Sequence, residues 1–236
     1  MKNRRDQFYR KKPTGPRMNP TKESMDQMLK AAKVVLNPTQ LEQLWKYHQL
    51  IRKRNEDREL TRIVGFEPMV VKHYIDCMIL GQFWKFPSPI VDVGSGAGFP
   101  GIPLKILFPS LKMILAEPRP KRIEFLNEVI QELGLKDIEV FEHKVVSRSF
   151  TTSVKAVITR AVETMDKTAL RTSGALEVGG QLIFMKGPNA DDEIEEMKKR
   201  FGNAFTLILD KAYTLPKTEH QRRLVVFCRT SEESLK

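Results

Sequence analysis

The sequence predicts an α/β fold: a doubly wound, mostly parallel sheet, closed by an antiparallel hairpin and preceded by a helical cap. Three observations carry this. From Pro89 onward, short apolar runs alternate with helical stretches, the pattern of parallel strands joined by right-handed crossovers. A glycine-rich turn stands where the first run gives way to a helix. The last two apolar runs have no helix between them.

In chain order, residues 1–18 carry Arg4, Arg5, Arg10, Lys11, Lys12 and Arg17 with Pro13, Gly15 and Pro16, and read as a disordered basic arm. Residues 19–85 read as a helical cap. Asn19-Pro20 and Asn37-Pro38 each place a capping residue before proline, a preferred helix start, and Gln40 follows Asn37 as in a capping box. Leu41, Leu44, Trp45, His48 and Ile51 then recur at helical spacing. A third helix is expected from Glu67-Pro68, with Val71, Ile75, Met78 and Ile79 on one face. Residues 86–236 form the main domain. Its strands are expected at Ile90–Val93, Met113–Ala116, Ile138–Phe141, Ala156–Ile158 and Leu182–Met185, with Phe205–Leu209 and Leu224–Phe227 as the hairpin. Helices are expected near 101–108, 120–134, 163–177 and 191–201.

Composition narrows the class. The chain has 236 residues, 41% of them hydrophobic, enough for a closed core. No apolar run approaches the roughly 18–20 residues of a membrane span, and the basic N-terminus lacks the apolar stretch of a secretory signal. Cys77 and Cys228 match no metal spacing, so no metal is expected and a cytoplasmic protein with reduced thiols is the simple reading. A net charge of +11 attracts polyanions, which makes nucleic acid the first candidate partner and a merely basic protein the alternative.

The sharpest motif is Val91-Asp92-Val93-Gly94-Ser95-Gly96-Ala97-Gly98-Phe99-Pro100-Gly101. Glycines between a strand and a helix allow a tight turn and close approach of a ligand to the backbone. Glu117, ending the second strand, stands where a carboxylate can accept hydrogen bonds from both ribose hydroxyls. Gly96 to Gly101 formally fits the dinucleotide fingerprint G-x-G-x-x-G, a weak signal alone. Asp92 two residues before the first glycine, the G-x-G-x-G run from Gly94 and the terminal hairpin favour S-adenosylmethionine instead. The expected fold is therefore a Rossmann-like class I methyltransferase sheet, with a nicotinamide or flavin enzyme as a rival.

The run Asp92 to Leu104, and above all Gly98-Phe99-Pro100-Gly101-Ile102-Pro103, resembles the glucose-inhibited division protein B family, the 16S rRNA (guanine-N7) methyltransferases G. Lys121-Arg122, Phe125-Leu126, Thr159-Arg160-Ala161-Val162, Gly179-Gly180, Lys186-Gly187, Tyr213-Thr214-Leu215-Pro216 and the His73/Asp76 pair match it too. Glu117-Pro118 replaces the family's Asp-Ser, and Lys144-Val145-Val146 replaces an Arg-Ala-Glu-like segment, so the chain is similar to a divergent member. The resemblance implies methylation of guanine N7 in a 16S rRNA loop, on rRNA or the small ribosomal subunit, by a monomer. It also implies cofactor contacts at Phe99, Val145 and Val146. Rivals are another RNA or small-molecule substrate, or a non-catalytic ribosome-assembly or RNA-binding protein on the same fold.

Arg160 is the foremost candidate outside the glycine loop, placed to hold the methionine carboxylate, a phosphate or guanine O6. Lys186, Arg119, Lys121 and Arg122 are candidate RNA contacts or solvated cations, and Arg222-Arg223 are similar. His73 and Asp76 are expected to form a hydrogen-bonded pair that fixes the cap to the loop.

Overall fold

The computed structural model describes residues 19–147, 149–150 and 153–232; the basic arm at 1–18 lies outside them. Seven strands form one sheet in the order β3-β2-β1-β4-β5-β7-β6. They are β1 (Ile90–Val93), β2 (Met113–Ala116), β3 (Ile138–Phe141), β4 (Val154–Arg160), β5 (Leu176–Lys186), β6 (Phe205–Thr214) and β7 (Gln221–Arg229). β1 to β5 pair in parallel, and β7 inserts antiparallel between β5 and β6. The first three strands match their apolar runs. The last four outrun theirs, because Lys155, Thr159, Gln181, Asp210 and Arg222 interrupt the apolar pattern while backbone pairing continues.

The helices are α1 (Lys22–Ala31), α2 (Pro38–Arg58), α3 (Phe66–Met69), α4 (Asp76–Met78), α5 (Gly101–Leu107), α6 (Pro120–Leu133), α7 (Met165–Thr172) and α8 (Asp191–Phe201). α2 starts as expected: Asn37 accepts from Gln40 N at 2.9 Å, and the Gln40 side chain accepts from Asn37 N at 3.0 Å. α1 does not start at Asn19. Its cap is Thr21, which accepts from Ser24 N, while the Ser24 hydroxyl donates to Asn19 O at 2.6 Å. α3 and α4 are joined by a π turn at Val70–Ile75 and followed by a 3₁₀ turn at Ile79–Gln82. The wider turn rotates the buried face, so Val70 and Tyr74 enter the core and Val71 is only half-buried.

Strand alternation divides the core in two. Ile90, Ile183, Met185, Leu224 and Val226 face α1, α2, the 66–82 segment, α5 and α6. Val91, Leu182, Phe184, Val225 and Phe227 face α7 and α8. The N-terminal helices thus share one continuous core with the sheet. Among the described residues no helix is long and apolar enough to cross a membrane.

Candidate functional site

The carboxyl ends of β1, β2, β4 and β5 open into a cavity of about 820 Å³. This is the edge at which open parallel sheets bind ligands. The N-terminal helices supply part of its lining through Leu60, Ile63, Lys72, His73 and Asp76.

One wall is shaped by backbone. After β1 the chain turns through Gly94 at φ +73°, where an added Cβ would stand 2.7 Å from Val162 Cγ2. Asp92 lies beneath the turn, fully buried: Oδ2 accepts from Gly101 N at 2.8 Å, and Oδ1 has no partner among the described residues. That burial pushes its pKa up to about 7, with the Gly101 N–H pulling the other way. The Glu117 carboxylate accepts from Gly96 N at 2.9 Å and from Arg119 N at 3.1 Å. A carboxylate has about four acceptor positions, so those two bonds leave room for a diol. Behind the loop, Tyr47 of α2 donates to Ala97 O at 2.5 Å.

The opposite wall is shaped by charge. Arg160, at the end of β4, donates to Lys72 O at 3.1 Å and to His73 Nδ1 at 3.3 Å, and lies over the Phe99 ring at 5.0 Å. A guanidinium only donates, so His73 Nδ1 accepts and its Nε2–H donates to Thr61 Oγ1 at 2.8 Å. Burial, aided by Arg160, lowers the His73 pKa to about 3, which keeps the ring neutral. The ring stacks on Phe99 with centroids 4.3 Å apart. Asp76 is buried between two arginines, 3.7 Å from Arg160 Nη1 and 3.3 Å from Arg222 Nε, and also accepts from Tyr213 Oη at 3.3 Å. Burial raises its pKa while both arginines oppose the rise. His73 and Asp76 therefore tie the 66–82 segment to the site through Arg160 and Phe99, not through the mutual hydrogen bond expected of them.

The structure gathers Gly94, Gly96, Phe99, Glu117, Arg119, Arg122, Arg160 and Lys186 around this one cavity. Asp92 and Gly98 support the loop from beneath; at Gly98 (φ +102°) an added Cβ would stand 2.5 Å from Ile102 Cγ1. Three further expectations fall elsewhere in the structure. Val145 is buried in the α7/α8 core and Val146 is exposed, and neither lines the cavity. Lys121 lies outside the lining and donates to Asp57 O. Lys186 lines the cavity, but its ammonium is held by Glu193 at 2.7 Å and Glu163 O at 2.8 Å, because α8 brings a carboxylate to the strand end. Tyr47, Lys72, Val162 and His220 went unnoticed as site residues. Only Tyr47 carried a signal, falling on the same helical stripe as Leu44, His48 and Ile51.

Comparisons with known proteins agree with this geometry. The profile of the GidB family, described as rRNA small subunit methyltransferase G, matches residues 40–225. The chain is 45% identical over 210 residues to "Ribosomal RNA small subunit methyltransferase G 2" of Syntrophobacter fumaroxidans, covering 89% of this chain and 42% of that protein's length. It is 38% identical to a protein of the same name from Bdellovibrio bacteriovorus, covering 82% of this chain and 75% of that one. A third relative, "Ribosomal RNA small subunit methyltransferase G" of Lactobacillus helveticus, is 34% identical and covers 93% and 94%. Among solved structures, the ribosomal protein L11 methylase of Lactobacillus delbrueckii subsp. bulgaricus superposes with a TM-score of 0.53 at 16% identity, over 68% of this chain and 79% of that one, a likeness of fold. The sheet order, the Gly94–Gly98 loop with Glu117, and the family match together identify the chain as a member of the GidB, or rRNA small subunit methyltransferase G, family.

Proposed function

We propose that this chain methylates N7 of a guanine in a loop of 16S ribosomal RNA, using S-adenosylmethionine, in the cytoplasm. The observation that carries this reading is the Glu117 carboxylate, bonded to Gly96 N–H inside the cavity and still able to accept from a ribose diol. The relatives named for ribosomal RNA support the substrate class, and the net charge of +11 suits a polyanion.

Gly94, Gly96 and Glu117 would hold the cofactor, with Phe99 beside it; S-adenosylmethionine supplies an electrophilic methyl group on a sulfonium. Guanine N7 has an in-plane lone pair and needs no deprotonation, so the chain's task is alignment. The side chains fit that task. His73 is neutral with both ring nitrogens engaged, and Asp92 is sealed beneath the loop. Arg160 is fixed at the strand end by Lys72 O and His73, where its guanidinium can orient an anionic or carbonyl oxygen. A loop base presents itself unstacked or is flipped into the cavity.

The test is transfer of labelled methyl to unmodified 16S rRNA or small subunits, with mapping of the product base. A single N7-methylguanine, lost in Arg160→Ala by a factor of about 100 or more, is expected. Label on a different base, or cofactor binding with no labelled RNA, would overturn the assignment.

A further inference from the structure

The rims of the cavity differ in which cations are already engaged. On the α6 side, Arg122 donates to Glu59 O and lies 3.8 Å from Glu117, while the exposed Arg119 side chain has no hydrogen bond or ion pair among the described residues. On β5, Lys186 is held by Glu193 and Glu163 O. On the opposite rim, Lys72 of the π turn and His220 before β7 line the cavity, and neither side chain has a hydrogen bond or ion pair among the described residues. Arg222 lines it as well, with Nε toward Asp76 and Nη1 on Gln221 O at 3.0 Å. Partial burial, helped by Lys72 and Arg222, lowers the His220 pKa, while Asp76 and Glu219 pull the other way. Lys72, Arg160 and Arg222 set three positive charges against the one carboxylate of Asp76 on this wall. An excess of cation with unengaged donors, inside a cavity, is the arrangement that receives an anionic oxygen.

We propose that Lys72, His220 and Arg222 form a phosphodiester subsite, which grips the RNA backbone beside the base to be methylated. The inference rests on the methyltransferase reading and extends the RNA-facing wall from Arg119, at the start of α6, to the π turn and β7. Asp76 acts beneath it as a positioning residue, holding Arg222 and Arg160 at the spacing of their shared carboxylate. The Lys72 backbone takes part as well, since its carbonyl anchors Arg160. Backbone contact and base contact are thereby linked through adjacent atoms of one turn. A carboxylate on the bound cofactor offers the same chemistry as a phosphodiester, so the experiment measures both anions.

The full-length protein is titrated with unmodified 16S rRNA across a salt series, and separately with S-adenosylhomocysteine. Lys72→Met is expected to lower the slope of log K against log salt by about 0.7 to 1 and to weaken RNA binding roughly threefold to tenfold near 0.1 M salt. His220→Gln should weaken RNA binding less and leave the slope nearly unchanged. Lys199→Met, which removes an equal charge from the exposed face of α8, should change neither. S-adenosylhomocysteine affinity should stay level in all three. Unchanged RNA affinity and slope in both Lys72→Met and His220→Gln, with the wild type still methylating, would overturn the subsite alone. Loss of S-adenosylhomocysteine affinity without loss of RNA affinity would give the cluster to the cofactor carboxylate and also overturn it. A wild type that holds no RNA would overturn the subsite together with the methyltransferase reading.

Discussion

The two walls of the cavity are built by different means. On the β1/β2 side, Gly96 and Glu117 meet through a backbone hydrogen bond across 21 residues of sequence. On the β4/β7 side, Asp76 meets Tyr213 and Arg222 across 137 and 146 residues, and does so through side-chain charge. A wall made of backbone depends on which residues permit its conformation. A wall made of charge depends on balance, and keeps its shape only while its cations and its one carboxylate stay in proportion. The first suits a ligand that must be seated in one way. The second suits a long anion that arrives by attraction.

The largest expected effect lies in the backbone wall. Gly98→Ala forces a Cβ into Ile102 at a φ that side chains rarely adopt. A loss on the order of 3 kcal/mol in chemical denaturation is expected, with S-adenosylhomocysteine binding abolished. A stable variant with normal cofactor affinity would show that the loop conformation is not required. Asp76→Asn should come next. It leaves two guanidiniums without their shared anion, lowering stability by about 2 kcal/mol and kcat/KM more than cofactor affinity. Asp76→Glu should recover part of the activity; equal losses in both variants would point to packing rather than charge.

Tyr47→Phe sharpens the comparison from behind the loop. It removes the bond to Ala97 O and strands that carbonyl, an effect of about 1 kcal/mol. Calorimetry should show cofactor affinity falling roughly fivefold, with RNA affinity in the absence of cofactor unchanged.

The last effect is a slope with pH rather than a loss at one pH. With its pKa pushed to about 7 by burial, Asp92 keeps a proton in the folded chain that the unfolded chain gives up near the ordinary carboxylate range. Wild-type stability therefore falls as pH rises across that window, by up to about 1.4 kcal/mol per pH unit from this group. His73 and His48 work the other way. Burial holds them at about 3 and about 4, so they refuse protons the unfolded chain accepts, and stability rises with pH up to about 6.5. Asp92→Asn removes only the first effect. Its unfolding midpoint should gain on the wild type from pH 5 to 7 and level off above; a constant difference from pH 5 to 8 would show that Asp92 is ionised throughout.

The backbone wall was legible in the sequence because it is local. Strand, glycines, helix and acidic strand end follow one another, and their spacing specifies the loop. The first three strands were equally plain, being short and mostly apolar. The charge wall was not legible in the same way. Arg160 stood out for its place after β4, but its partners come from a π turn and from a hairpin at the other end of the chain. No local pattern announces that meeting. Lys186 stands at the strand end as expected, but its partner, Glu193, lies on the next helix and no local pattern announces it. Val145 and Val146 were carried by resemblance alone, and the chain beyond β3 turns one into the α7/α8 core and the other out to solvent.

The most direct test of the two-walled cavity is calorimetric titration of S-adenosylhomocysteine into Glu117→Ala beside the wild type, with RNA affinity measured on the same samples. The geometry predicts cofactor affinity at least tenfold weaker, the effect of about 1.4 kcal/mol of lost hydrogen bonding, with cofactor-free RNA binding unchanged. Undiminished cofactor affinity in a folded Glu117→Ala protein would contradict it.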